Sequence, residues 1–407
     1  MRAWSSLLVL ALLLALASST PRWAHAAAPA RPAPAAPDSA PPRLAHDAVP
    51  TREEVELALD PDSTSYRGRV AIALDVKAAT REIRFHARGT EIDSVALRRA
   101  GRAIAIAAVE RLAPDQTRLR LGQPLTPGPC DLAITFHKPY NTRAVSLYRV
   151  VTGGRSYLFT QFEDTEAREA FPCWDEPEFK IPWRVTLTVP AGDLAVSNTP
   201  VERESPAGRV KQVRFAETKP LPSYLIAIAV GPFESVPITG LGMPGRVITV
   251  QGAAGMAAEA VRVTPGIIRS LERYFGRPYP YEKLDLIAAP EFLYGAMENA
   301  GAVVFADRRL LIDPRAASPE QREMLTGVVA HELAHMWFGD LVTMKWWDDL
   351  WLNESFASWM ATKVVDDVNP DVHSGTTRLL TVQRAFATDS RLSTRAMRAQ
   401  ITGATSL

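Results

Sequence analysis

From about Thr51 to Pro237 the apolar residues recur every second position, and after about Gly240 the period changes to that of a helix. Such a chain needs two architectures, one built from extended segments and one from helices. Val70, Ile72, Leu74 and Val76 fall on one face of a strand, and Leu132, Ile134 and Phe136 on one face of another. Trp183, Val185, Leu187 and Val189 do the same, and Pro190-Ala191-Gly192 ends the run. Proline and glycine punctuate these runs at short intervals, which predicts antiparallel sheets rather than βαβ units.

In the second half, Ala257 to Phe275 reads as a helix closed by Gly276-Arg277-Pro278, and Leu284 to Ala288 as a return to strand. Ser318-Pro319-Glu320-Gln321 opens the next helix, with Ser at the cap, Pro at the first helical position and Gln three after the cap. Leu325, Val328 and Val329 continue toward Leu333 and Trp337 at helical spacing. A further helix is expected from Asp348 or Asp349 to about Val365, ahead of Asn369-Pro370.

Composition narrows the function. Of 407 residues 47% are hydrophobic, enough for a real core, and Lys+Arg 46 against Asp+Glu 45 leaves a net +1 without a basic arm. Nucleic acid is therefore not expected as a partner. Two cysteines, Cys130 and Cys173, are too few for a disulfide scaffold and are read as buried thiols. Arg308-Arg309 and the arginines at 391, 395 and 398 read as a solvated face.

The chain begins with Arg2, the apolar run Leu7 to Ala17, and small-x-small sites ending at Ala17 and Ala26. That is the pattern of a secretory signal peptide over residues 1–26, and the run is shorter than the roughly 18 residues of a spanning helix. Residues 27–50, of which 16 of 24 are Ala or Pro, read as an extended linker. The mature protein is expected outside the cytoplasm, periplasmic or secreted, with no stable membrane span after cleavage.

The chemistry lies in His331-Glu332-Leu333-Ala334-His335, inside the capped helix. Residues four apart project from one face, so two imidazoles can grip one metal ion while Glu332 sits beside them. Catalytic zinc commonly takes two histidines and a glutamate and leaves a position to water. Glu354, 19 residues beyond His335 on the next helix, can supply that carboxylate. Zinc polarises a carbonyl and lowers the pKa of its water, and Glu332 can take the proton and pass it to a leaving amine. Asp348 and Asp349 fit either support of a ligand ring's second nitrogen or capping of the next helix, with capping the preferred reading.

The run from His331 to Gly339, followed by Trp346-Trp-Asp-Asp-Leu-Trp-Leu-Asn-Glu354, resembles the signature of the M1 family of zinc aminopeptidases. Gly295-Ala-Met-Glu-Asn299 is similar to that family's exopeptidase motif. Gln161-Phe-Glu163 and Phe171-Pro-Cys-Trp-Asp-Glu-Pro177 are similar to its N-terminal-domain motif. The resemblance spans about Thr51 to Leu407 and implies a multidomain chain. An all-β, saddle-like N-terminal domain over 51–237 would precede an α/β-to-α thermolysin-like zinc peptidase domain over 238–407. His331, His335 and Glu354 would hold one Zn2+ per chain and Glu332 would be the general base. Glu298 would bind the free α-amine of a peptide substrate, with Glu163 and Gln161 beside it. Gly295 and Ala296 would hold the peptide backbone, Met297 and Asn299 would complete the motif, and Tyr294 would line the pocket for the first side chain.

Asp340, Lys345 and Asp348 stand where typical members resemble Asn, Glu and Asn. Lys345 and Asp348 are similar to a branch that also hydrolyses an epoxide, whereas Glu163 is not. The family also places an oxyanion-donating tyrosine at about 415–420 on this count, so the catalytic domain is expected to be incomplete at Leu407. Leu379, Leu380 and Phe386 are then expected to lack packing partners. Hydrolysis of the N-terminal peptide bond is the function these residues point to. A zinc endopeptidase and a noncatalytic peptide-binding fragment remain the alternatives.

Overall fold

The computed structural model describes residues 43–112, 115–369, 374–394, 396–398 and 401, with side chains left out at 374–378. The leader run, most of the linker and Arg395 lie outside the described residues. Among those described, no helix is long and apolar enough to cross a membrane.

The front half is all-β. Its main sheet is built around β1 (Ala48–Ala58), β2 (Ser65–Val76), β3 (Gly128–Pro139) and, on the other side of β1, the later strand Trp183–Pro190. The alternation seen in the sequence is the alternation of burial. Val70, Ile72, Leu74 and Val76 are all buried on β2, and Leu132, Ile134 and Phe136 on β3. Most neighbours are antiparallel, as the turn signals require, but β1 and Trp183–Pro190 run parallel, with Glu53 opposite Trp183 and Leu57 opposite Leu187. This corrects the purely antiparallel expectation. Two remote strands with matching apolar faces share one core, and no local turn sets their direction. A four-stranded sheet includes β4 (Arg155–Gln161), whose last residues lead into the motif at Glu163. We label the Trp183–Pro190 strand β5. Cys130 and Cys173 are free and buried.

A five-stranded sheet joins the two halves. It contains the hairpin Glu234–Pro237 with β6 (Gly245–Thr249), which straddles the expected 237/238 boundary, then β7 (Leu284–Ala289), β9 (Ala302–Ala306) and the short β8 (Ala296–Met297) at its edge. β6, β7 and β9 are mutually parallel, while β8 is antiparallel to β9. Every residue of β7 and β9 is buried. Ile287, Ala289, Val304 and Ala306 face the β core, while Leu286, Ala288, Val303 and Phe305 face the helices. A sheet covered on both sides reads as a continuous apolar run, as Ala-Val-Val-Phe-Ala of β9 does.

The helices α1 (Ala258–Phe275), α2 (Pro319–His335), α3 (Leu350–Val368) and α4 (Ser374–Asp389) follow. α1 ends at Gly276 with φ +63, the left-handed stop that glycine adopts without strain. At the start of α2, Ser318 Oγ accepts from the Gln321 N–H while Gln321 Oε1 accepts from the Ser318 N–H, the reciprocal box expected from the sequence. α3 departs from expectation at its start. A short turn at Trp347–Asp349 leads in, and Asp349 stands at the cap without a side-chain capping bond. Its carboxylate takes Arg398, and Asp348 accepts from the Ile401 N–H, so neither acid caps α3 nor supports a ligand ring. The turn's own backbone bond from the Leu350 N–H to Trp347 O leaves one fewer first-turn amide to satisfy. Arg398 is accordingly paired, not merely solvated. On α4, Leu379, Leu380 and Phe386 are exposed.

Glu53 is a buried acid on β1 with no hydrogen-bond partner for either oxygen among the described residues. Burial, with Asp175 nearby, pushes its pKa well above the ordinary glutamate value. The folded protein therefore holds this proton more tightly than the unfolded chain. Its contribution to stability is full below the ordinary glutamate pKa and is lost as pH rises toward the folded value. Glu53→Gln removes the ionisation, so the variant should lose less stability than the parent between pH 5 and 8 in denaturant titrations.

Candidate active site

Four segments meet at one cleft of about 860 Å³. α2 brings His331, Glu332 and His335 to its C-terminal end, α3 brings Glu354 alongside, and the 163–166 and 294–298 segments form the opposite wall. α2 and α3 pack through Leu325, Val329 and Leu333 on one and Ala357, Met360, Ala361 and Val364 on the other, all in one core. The spacing of those apolar residues leaves Glu354 and Ser358, four apart, at the edge of the cleft.

His331 Nε2 lies 3.2 Å from Glu354 Oε2, His335 Nε2 3.7 Å from Glu354 Oε1, and the two Nε2 atoms are 3.0 Å apart. Zinc–ligand bonds of 2.0–2.1 Å give a tetrahedron with edges of roughly 3.3 Å, so this donor set fits one such ion. The second nitrogens are held as well. His335 Nδ1 is 3.0 Å from Asn353 Oδ1 and 3.3 Å from Phe338 O, while His331 Nδ1 is 3.3 Å from Ser358 Oγ. The sequence reading missed Asn353 and Ser358. Their positions immediately before Glu354 and one turn after it were the available signal.

Acid groups crowd around this triad. Oxygens of Glu298 and Glu332 lie within 4.8 Å of one another and of a His335 nitrogen, and oxygens of Glu163, Glu298 and Glu354 form a second such group. Glu332 is 5% exposed and Glu298 3%. Burial, then the carboxylates of Glu298, Glu354 and Glu163, pushes Glu332 well above the usual carboxylate range. Burial and the charges of Glu298 and Glu354 do the same to Glu163. Burial also acts on Glu354, but the hydrogen bond with His331 and the two imidazoles outweigh it and hold its pKa low. Glu163, Asp164, Glu166, Glu298, Glu332 and Glu354 all line the cleft, and among the described residues no lysine or arginine does. Glu166 is satisfied by Arg88 and the Thr165 N–H, and its pKa is nevertheless raised to about 7, chiefly by burial.

The remaining residues named from the sequence fall into two groups. Tyr294, 46% exposed, lines the cleft with Gly295 and Ala296. Gln161, Met297 and Asn299 lie behind its wall. Gln161 Nε2 is 3.6 Å from Met297 Sδ, and Asn299 Nδ2 donates to the carbonyls of Tyr224 and Ile226 at 3.4 Å. These contacts tie the 294–299 segment to the β half. Of the three departures, Lys345 is an exposed residue 3.9 Å from Glu178, and Asp340 is buried with neither oxygen bonded among the described residues. Burial and Glu298 raise Asp340 well above its ordinary pKa, against the pull of Lys180.

Comparison with known sequences agrees with this layout. The Peptidase M1 N-terminal domain matches residues 49–225 and the Peptidase family M1 domain matches residues 259–406. Aminopeptidase M1-D of Oryza sativa subsp. japonica is 37% identical over 354 residues, 86% of this chain but 40% of the relative. Aminopeptidase N of Acetobacter pasteurianus is 35% identical over 325 residues, covering 78% of this chain and 91% of the relative. The puromycin-sensitive aminopeptidase of Caenorhabditis elegans is 38% identical over 330 residues, 78% of this chain and 35% of the relative. The chain thus spans well under half the length of the plant and nematode relatives it matches. With an all-β half leading into a helical half that carries the His-Glu-x-x-His helix, and with matches along both, the chain belongs to peptidase family M1.

Proposed function

We propose that this chain carries the active site of a zinc-dependent aminopeptidase that removes the first residue of peptides with a free N-terminus. The carrying observation is the distance between two groups of side chains. Oxygens of the proposed amine-binding pair, Glu163 and Glu298, lie within 4.8 Å of an oxygen of the metal-ligand Glu354. In a peptide the N-terminal nitrogen and the first carbonyl carbon are only about 2.5 Å apart, from the standard bond lengths and angle. An ammonium between those carboxylates therefore leaves room for only the first peptide bond at the triad.

When bound, zinc at His331, His335 and Glu354 would supply Lewis acidity and a water of lowered pKa. The protein's own residues do the rest. Glu163 and Glu298 hold the ammonium through charge-assisted bonds in a site already rich in negative charge, which also attracts cationic N-termini. Glu332, with no side-chain hydrogen bond among the described residues and a pKa raised chiefly by burial, stands ready to accept a proton and return it to the leaving amine. Tyr294 lines the space for the first side chain. The leader-like residues 1–26 support export to the periplasm or the medium as the place of action.

Two outcomes test this reading. Purified protein should hold one zinc ion; His335→Ala should lose tight binding, whereas Glu332→Gln should keep the metal and lose about 10²–10⁴ in kcat. Metal analysis and peptide hydrolysis, measured together, check both. Acetylating the N-terminus of a good substrate should lower kcat/KM at least about tenfold, or roughly 1.4 kcal/mol of transition-state binding. Equal turnover of free and blocked peptides would assign the site to an endopeptidase.

A further inference from the structure

We propose that Asn353 is a positioning residue that couples the metal-ligand histidine to the amine-binding carboxylate, so that loading the metal fixes the orientation of Glu298. The proposal rests on the role of Glu298 argued above. Asn353 is 3% exposed, and its side-chain amide spans the gap between the two groups. Its Oδ1 lies 3.0 Å from His335 Nδ1, and its Nδ2 donates to Glu298 Oε1 at 2.9 Å.

The coupling follows from the donor and acceptor inventory. A metal ion taken up on His335 Nε2 confines the ring proton to Nδ1, which must then find an acceptor. The amide oxygen of Asn353 is nearer than the Phe338 carbonyl at 3.3 Å. An amide has one oxygen side and one NH₂ side, so turning the oxygen to His335 turns the NH₂ to Glu298, an acceptor when ionised. The opposite orientation would set the amide oxygen against the carboxylate and NH₂ against N–H. The proton position on one ring thus selects the amide orientation. The amide in turn occupies Oε1 of Glu298 and leaves Oε2 for an incoming ammonium.

Gly339 makes the close fit possible. A Cβ at this position would lie 2.3 Å from Asn353 Oδ1 and 3.0 Å from His335 Nδ1, and its φ of +140 also favours glycine. With Asn353 and His335 both buried, no bulk water substitutes for either bond, and the low local dielectric strengthens them. Asn353 directs neither of its two side-chain bonds at a substrate or at the metal. It acts through His335 and Glu298.

The test uses the zinc-loaded chain with Glu332→Gln as the parent, so that the amides bind without being cleaved, a competing chromogenic chelator for zinc affinity, and calorimetric titration with leucine amide and N-acetyl-leucine amide. The parent should bind leucine amide at least tenfold more tightly than the acetylated form. Asn353→Ala should bind zinc about 10–100-fold more weakly. At saturating zinc, with metal content verified, it should also lose at least tenfold of the preference for the free amine. Gly339→Ala, which crowds the same amide, should give the same two losses and serves if Asn353→Ala fails to fold. A residue that merely supports the metal would lower zinc affinity and leave the preference intact, and a merely structural one would weaken both amides equally; either result overturns the proposal. A parent without preference for the free amine overturns the reading of Glu298 itself and the coupling with it.

Discussion

Negative charge concentrated in one cleft, where among the described residues only Glu166 is ion-paired to an arginine, is the constraint on which this site depends. Six carboxylates line one cleft, and several are driven out of their ordinary pKa range by burial and by one another. Without cations such a cluster opposes folding, since buried like charges repel and lose hydration. The arrangement makes chemical sense if the two cations of the proposed function enter, a divalent ion at the histidines and an ammonium at the opposite wall.

The carboxylates reach that point from different parts of the chain, and the five-stranded sheet is what lets them meet. Its two faces belong to two cores, so the β half and the helical half are packed against one rigid layer. Glu163 follows the end of a strand of the β half, Glu298 follows the edge strand of the shared sheet, and Glu332 and Glu354 come from two packed helices. Gln161 and Met297, behind the wall, hold the first two segments in register, and Asn299 ties the second to the carbonyls of Tyr224 and Ile226. Their contribution is to position, which explains why residues of one motif differ so much in access to the cleft.

What could be read in the sequence was what is local. The alternation on β2, β3 and β5 and the capped helix with two histidines four apart follow from fixed repeats of 2.0 and 3.6 residues. The pairing of Glu163 with Glu298 has no local signal and came only from resemblance. The parallel partnership of β1 and β5 was missed because pairing across a long separation depends on complementary faces, which no turn residue announces. Asp348 and Asp349 were misread because an acid before a helix suits a cap, while here Arg398 and the Ile401 N–H compete for the carboxylates. Asn353 and Ser358 escaped because their meaning depends on which ring nitrogen the metal would use.

The parallel pair in the main sheet also sets the order in which the front half can assemble. Glu53 and Trp183 are neighbours in the sheet yet about 130 residues apart along the chain, so the closure entropy is spent before the contact returns anything. β1 can zip onto β2 early, through a short connection, but its other edge waits until β5 has been synthesised. During that interval the backbone groups of that edge and the apolar faces of Val55 and Leu57 lack their final neighbours. The nascent chain therefore passes through a stage with an open, sticky strand edge, and its yield in a cell depends on how quickly the second hundred residues emerge.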